Sequence, residues 1–343
     1  MKKALLACVL AAACADFAAA QSVTLYGAVD AGVGYSRQDG GGSDVSIDSG
    51  TSSESLIGIR GSEALGGGWK ASFRLESEIE VDEGTWSDPE RFFDREAWLG
   101  LGGGVGEVRL GRQATFGYEW FSNVSPFETE FKQARLGTIF GYEAVAERVD
   151  NAVFYLSPVF GGFEVGVGYS FNDDGPEAPA QDNEVLTLGL RYRNGPVMAV
   201  VTYDRKQDAD DDAAPGRADI QNLAAGGTYE IGGIELHAGY GRLKHRAFSR
   251  TARTEKAWLV GATVPLGEGE VLAGYQRVTG RNANELAQDA DRDGFALAYE
   301  YPLSKHSRLY VYGSRYRKVD FRADDASRLA NRTEFGVGVH HRF

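Results

Sequence analysis

Ser22-Val-Thr-Leu-Tyr-Gly-Ala-Val-Asp-Ala-Gly-Val-Gly-Tyr35 decides the fold. Val23, Leu25, Val29, Ala31, Val33 and Tyr35 share one parity, and Thr24, Tyr26, Ala28 and Asp30 the other. A period of two is that of a strand with one apolar face. The rhythm recurs at Phe163–Phe171, Leu186–Tyr192, Leu223–Tyr229, Ile234–Tyr240, Trp258–Val264, Val271–Tyr275, Phe295–Tyr301 and Phe335–Phe343. Each segment lasts about ten residues, the length with which a tilted strand crosses a bilayer core.

The connections alternate as well. Short turns fall at Gly66-Gly67-Gly68, Gly102-Gly103-Gly104, Pro158–Gly162, Asn194-Gly195, Gly232-Gly233, Pro265–Gly269 and Pro302–Ser307. Long polar segments, 36–54, 81–91, 114–147, 172–183, 205–219, 245–255, 280–293 and 321–332, lie between them. Seven turns and eight loops imply sixteen strands. An even count with short turns on one side and long loops on the other is the layout of an outer-membrane barrel. The longest apolar run outside the leader, Val197–Val201, is far too short for a spanning helix. In lipid every backbone N–H and C=O needs an internal partner, which leaves a closed antiparallel barrel. Tyr26, Tyr35, Tyr169, Tyr192, Tyr203, Tyr229, Tyr240 and Tyr275 stand near strand ends, where interfacial aromatic girdles are expected.

Residues 1–20 read as an export signal: Lys2 and Lys3, twelve small or apolar residues Ala4–Ala15, then Ala18-Ala19-Ala20 as the cleavage site. The expected division is 1–20 signal peptide and 21–343 barrel. Cys8 and Cys14, the two cysteines, both fall in the leader, so the mature chain is expected to lack disulfides and cysteine-ligated metal. The chain of 343 residues has a formal charge of −13, which argues against a nucleic-acid partner.

Several segments together resemble the general porins of β-proteobacteria. They are the opening quoted above, Gly58-Ile-Arg-Gly-Ser-Glu-Ala-Leu-Gly-Gly-Gly68, Phe93-Asp-Arg-Glu-Ala-Trp-Leu-Gly-Leu101, Leu110-Gly-Arg-Gln113, Arg148-Val-Asp-Asn-Ala-Val-Phe-Tyr-Leu-Ser-Pro158 and the ending Gly338-Val-His-His-Arg-Phe343. The resemblance runs through the chain in order. It implies a homotrimer of sixteen-stranded barrels in the outer membrane, among lipid and lipopolysaccharide. It also implies a third loop folded into each lumen, passive flow of small hydrophilic solutes and inorganic ions, and a terminal Phe343 read by the barrel-insertion machinery.

A barrel of this size holds an aqueous channel unless something fills it. The longest loop, Ala114–Glu147, carries Phe116, Tyr118, Trp120, Phe121, Phe127, Phe131 and Phe140, so it can pack. Its charges, among them Glu119, Glu128, Glu130, Lys132 and Arg135, could set a field across the lumen. Arg60, Arg74 and Arg109 take the parity opposite Ile57 and Ile59, Phe73 and Leu75, and Val108 and Leu110; Arg148 is read opposite Val149 and Val153. Arg95 resembles the family's wall arginine. After the leader the chain has 27 Arg and 7 Lys, and arginine stays charged when crowded. Opposed acids and bases make a transverse field that sorts ions. The plainer reading is that these arginines are paired with Glu76, Glu78 and Glu107. Many family members have an arginine where Leu56 stands, which weakens any transfer of strong anion selectivity.

Asp289–Glu300 fits the EF-hand expression, but Phe295–Tyr301 alternates as a strand and points Glu300 into a lumen. His340 and His341 are adjacent and face opposite sides. No nucleophile motif, metal-ligand motif or cofactor site is found, so the chain is expected not to be an enzyme and to need neither metal nor cofactor. The function expected is a general diffusion channel with a modest anion preference. The rivals are a substrate-specific channel on the same fold and a non-conducting adhesin or structural barrel.

Overall fold

The computed structural model describes residues 22–128, 131, 140, 145–171, 173, 183–209, 217–246, 253–282, 291–319 and 330–343. The leader 1–20 and the candidate residues Glu130, Lys132 and Arg135 lie outside the described residues, as does Asp289 of the EF-hand-like run.

Sixteen strands form the wall: β1 Ser22–Gln38, β2 Leu56–Gly66, β3 Trp69–Glu80, β4 Glu96–Gly103, β5 Gly106–Ala114, β6 Arg148–Leu156, β7 Phe163–Ser170, β8 Glu184–Asn194, β9 Val197–Ala209, β10 Arg217–Ile231, β11 Ile234–Arg246, β12 Arg253–Leu266, β13 Gly269–Asn282, β14 Arg292–Pro302, β15 Ser307–Val319 and β16 Ala330–Arg342. Every neighbouring pair is antiparallel. β16 returns to β1 from Ala28↔Arg342 to Gln38↔Arg332 and closes the cylinder. Gly27 and Phe343 exchange backbone hydrogen bonds of 3.0 and 3.1 Å, so pairing runs to the last residue. The seven expected turns lie between these strands, and each expected loop range spans a connection, though strands run into several of them, as β9 to Ala209 and β10 from Arg217 do into 205–219.

Outward and inward positions alternate as the sequence predicts. Leu25, Val33, Leu99, Leu110, Val260, Leu297 and Val337 are exposed on the outside, while Asp30, Glu76, Thr202 and Glu334 are buried inside. Tyr229, Tyr240 and Trp258 are exposed outward, as girdle residues require. Tyr26 is the exception: it shares the inward parity of Asp30, and its hydroxyl donates to Glu76. The neighbour used to orient Arg148 needs a second correction, although Arg148 itself turns inward. Val149 is fully buried, and Asn151 has φ +49°, beside a register shift between Gly111 and Gln113. This bulge breaks the alternation that put Val149 and Val153 on one face.

Two loops enter the lumen. Ser43–Ser49 pairs with the outer half of β1, from Ala31↔Ser49 to Arg37↔Ser43. The chain then turns inward, and Asp30 Oδ1 accepts from the Ser52 amide at 3.2 Å while Ser55 Oγ donates to the Asp30 carbonyl at 3.1 Å. The third loop follows β5. A one-turn helix, α1 Phe116–Glu119, is capped by Thr115, whose Oγ1 accepts from the Tyr118 amide at 3.3 Å. Phe116, Trp120, Phe121, Val124, Phe127, Phe131 and Phe140 are at most 1% exposed. Each buried aromatic side chain contributes about 2 kcal/mol, which is what holds this loop against the wall.

Candidate functional site: the narrowed lumen

The third loop lies along β7 to β13 where inward wall positions on six of the strands are glycines. A Cβ at Gly189 would stand 2.6 Å from Trp120, one at Gly226 2.6 Å from Val124, one at Gly241 2.8 Å from Phe140 and one at Gly261 2.8 Å from Pro126. Gly166 faces Phe116 in the same way, and Gly274 faces Phe127. All six take the inward parity of their strands. The start of the loop is also tied by hydrogen bonds. The Phe116 amide donates to Thr187 Oγ1 at 2.9 Å, and Thr187 donates to Asp204 Oδ1 at 2.6 Å. At the far end the Phe131 amide donates to the Ser52 carbonyl at 2.6 Å, and the Phe131 ring stands edge-on to Tyr310 at 5.6 Å. The two loops are therefore latched to each other inside the barrel.

The arc from β2 to β5 is left bare. Arg60 and Arg74 are direct cross-strand partners, and Arg74 in turn faces Trp98. With Lys70 and Arg109 they line a recess of about 240 Å³ in which Glu107 is the one carboxylate among the described residues. Arg109 makes two hydrogen bonds to Glu107, 2.8 and 3.0 Å, and lies 4.3 Å over the Trp98 ring. Arg74 is 3.8 Å from Glu76. Arg60 stacks 4.8 Å over Tyr26.

Arg95 and Arg148 form a second group, nearer the long loops. Arg95 pairs with Glu54, with Glu78 at 3.4 Å and with Glu76 at 3.7 Å. Arg148 reaches Glu147 at 3.4 Å and Glu54 at 3.6 Å, and lies 4.9 Å over Tyr118. Burial first, and then the neighbouring Arg148, push the Arg95 guanidinium down to about 10, which leaves it charged at neutral pH. Glu76 touches both groups. The pairing of these arginines with Glu76, Glu78 and Glu107 is therefore part of the structure, while Arg60 and Lys70 have no ion pair among the described residues.

Of the loop candidates, Glu119 and Glu128 are exposed to the lumen. Wall surrounds Glu119 on most sides; that desolvation raises its carboxyl above the ordinary range, against the pull of Arg109, Arg74 and Arg191. Glu128 has φ +47° and lines a larger recess of about 490 Å³ with Arg193, Glu230, Glu235 and Arg308. Arg191 belongs to this field although the sequence reading omitted it. It pairs with Glu164 at 2.5 Å and lies 4.6 Å over Trp120. Its inward parity between Leu190 and Tyr192 was the available signal. Glu54 had none, because it lies in a loop that alternates with nothing. Arg308, 3.3 Å from Glu300 and 3.2 Å from Ser52, completes the opposite wall. Among the described residues no three His, Cys, Asp or Glu side chains converge to hold a metal.

Comparison with known proteins gives one answer. A family description of Gram-negative porins matches residues 4–320. The chain is 32% identical to an outer membrane porin protein of Bordetella pertussis over the whole of both chains. It is 34% identical to outer membrane porin protein 32 of Delftia acidovorans, over 90% of this chain and 88% of that one. The solved anion-selective porin from Comamonas acidovorans superposes with a TM-score of 0.80 at 27% identity, over 94% of this chain and 100% of that one. A closed sixteen-stranded barrel with a loop-narrowed lumen and full-length relatives of this kind leads to one conclusion: the chain belongs to the Gram-negative porin family and is an outer-membrane porin.

Proposed function

We propose that this porin passes small hydrophilic solutes and inorganic ions passively, without catalysis or cofactor, and with a modest preference for anions. One observation carries the reading: the wall that the third loop leaves bare presents Arg60, Lys70, Arg74 and Arg109, with Glu107 the one carboxylate among the described residues lining their recess and Glu76 beside Arg74. Cations fixed on one side of a narrowed lumen raise the local concentration of anions. The acids that give the chain its net charge of −13 include Asp208 near the end of β9, and Asp210, Asp211, Asp212, Asp324 and Asp325, which the sequence reading assigns to the long loops and which lie outside the described residues. The anion selectivity named for the Comamonas acidovorans porin points the same way. Arg60, Arg74, Arg95, Arg109 and Arg148 are assigned to the constriction wall, with Glu119 facing Arg74 and Arg109 from the loop and Glu128 on the loop beside the opposite recess. The loop residues Glu130, Lys132 and Arg135 join this assignment from sequence alone. In the same reading the working protein is the homotrimer of residues 21–343, exported by a cleaved signal 1–20, and Phe343 addresses the insertion machinery.

Reversal potentials across a planar bilayer in a salt gradient test the preference. An anion-to-cation permeability ratio above one is expected, and a cation-selective pore would overturn it. Liposome swelling with graded sugars then separates a general pore, which sorts by size, from a substrate-specific one.

A further inference from the structure

At the long-loop end of β11 and β12 the outer face changes from aromatic to basic. Tyr240 and Trp258 are direct cross-strand partners, both exposed outward, and the Trp258 ring lies 5.2 Å from that of Tyr275. Rings of this kind mark the membrane–water boundary. One step toward the loops, Arg242 stands directly across from Lys256, and Lys244 follows two residues on. These three share the outward parity, since the residues between them, Leu243, Glu255 and Ala257, are buried toward the lumen.

Three other outward cations at this end, on β9, β13 and β15, have acids, whereas Arg37 on β1 stands alone without one among the described residues. Arg205 holds Asp219 at 2.7 Å, Arg277 is 3.5 Å from Asp291, and Arg317 is 2.7 Å from Asp293. Asp219, the outward acid on β10 beside β11, is also taken by Gln221 at 2.8 Å. Arg242, Lys244 and Lys256 have no ion pair among the described residues. Like charges placed directly across a strand pair repel, so the arrangement is complete only with an anion supplied from outside the chain. The surroundings there are the outer leaflet, and the apolar strip below the cations, Val260 with the three rings, suits acyl chains.

We infer that Arg242, Lys244 and Lys256 form a docking site for the phosphorylated headgroup of an outer-leaflet glycolipid. A phosphate oxygen pair would bridge the Arg242 fork and the Lys256 ammonium, with the chains lying on Trp258 and Val260. This inference rests on the outer-membrane location and not on the channel reading, because none of the three side chains lines the lumen.

The test uses the detergent-purified full protein and native mass spectrometry with bisphosphorylated lipid A, the same lipid with both phosphates removed, and inorganic phosphate as competitor. The wild type is expected to retain phosphorylated lipid A. Arg242→Gln with Lys256→Gln should lose about 30-fold in affinity, roughly fivefold per charge, with heat-modifiability and single-channel conductance unchanged. Arg277→Gln, whose charge already has a partner, should bind as the wild type does. Binding by the double variant within twofold of wild type would overturn the site. So would equal binding of the dephosphorylated lipid, an equal loss in Arg277→Gln, or full displacement by millimolar phosphate, which would mark a free-anion site instead.

Discussion

On β7, β8 and β10 to β13 inward positions that meet the third loop are glycines, whereas along β2 to β5 the inward positions carry Arg60, Arg74, Trp98 and Arg109. At those positions the first arc has given up its side chains so that Phe116, Trp120, Val124 and Phe127 can lie against the backbone. The second keeps long charged side chains and receives no loop. Narrowing and field are therefore divided between two walls. One sets how far the loop stands from the opposite side, and the other sets what a solute meets there. Glu119 links them, standing on the packed side and facing the charged one.

The charged wall should be the more fragile where its arginines are crowded. Arg95 touches Glu54, Glu76 and Glu78 and its side chain is 14% exposed. Arg95→Gln leaves those three carboxylates facing one another. Breaking an enclosed ion-pair network of this kind costs about 3 kcal/mol. The expected outcome is a lower unfolding temperature on a heat-modifiability gel, together with a shift of the reversal potential toward cations. An unchanged reversal potential would mean that Arg95 is structural only and that the field comes from the Arg60–Arg74–Arg109 recess.

The packed wall should answer to volume instead of charge. Gly189→Leu puts a branched side chain where Trp120 and Phe116 already lie, at 2.6 and 3.1 Å from a Cβ. Overpacking of this kind costs about 1–3 kcal/mol, and the loop can relieve it by leaving the wall. Noisier conductance is expected, with faster tryptic cleavage at Lys132 and Arg135 and no change in ion selectivity. A selectivity change as large as that of Arg95→Gln would break the division between the two walls.

How much of this was legible differs between the walls for a physical reason. Strand number, turns and loops, and the inward side of Arg60, Arg74 and Arg109 follow from a period of two that lipid on one face and water on the other enforce. Tyr26 was misread because an aromatic near a strand end was taken for a girdle residue, although its parity with Asp30 already put it inside. Val149, taken as the outward neighbour of Arg148, is buried, because a bulge at Asn151 cannot be counted from alternation. The glycine track was present in the sequence as inward-parity glycines on β7, β8 and β10 to β13, but glycine leaves no hydrophobic trace. Its meaning needs the loop residue that fills each gap. Glu54 and Arg95 pair across 41 positions, and no local pattern announces a contact of that range.

The smallest effect concerns Glu119. Desolvation raises its carboxyl, so it takes up a proton at a higher pH than an exposed glutamate does. Its negative charge therefore leaves the space between Arg74, Arg109 and Arg191 at a higher pH than an exposed glutamate's would. The wild-type channel should become more anion-preferring as the pH falls. Glu119→Gln should show the acid-side preference already at pH 7 and a flatter profile below it, with conductance otherwise retained because α1 is held by Thr115, Thr187 and Asp204 rather than by this side chain. If the variant and the wild type gave parallel pH profiles, the titrating group would have to lie elsewhere on the lumen wall. Glu119 would then be a passive tenant of the loop instead of the point where the packed wall reaches the charged one.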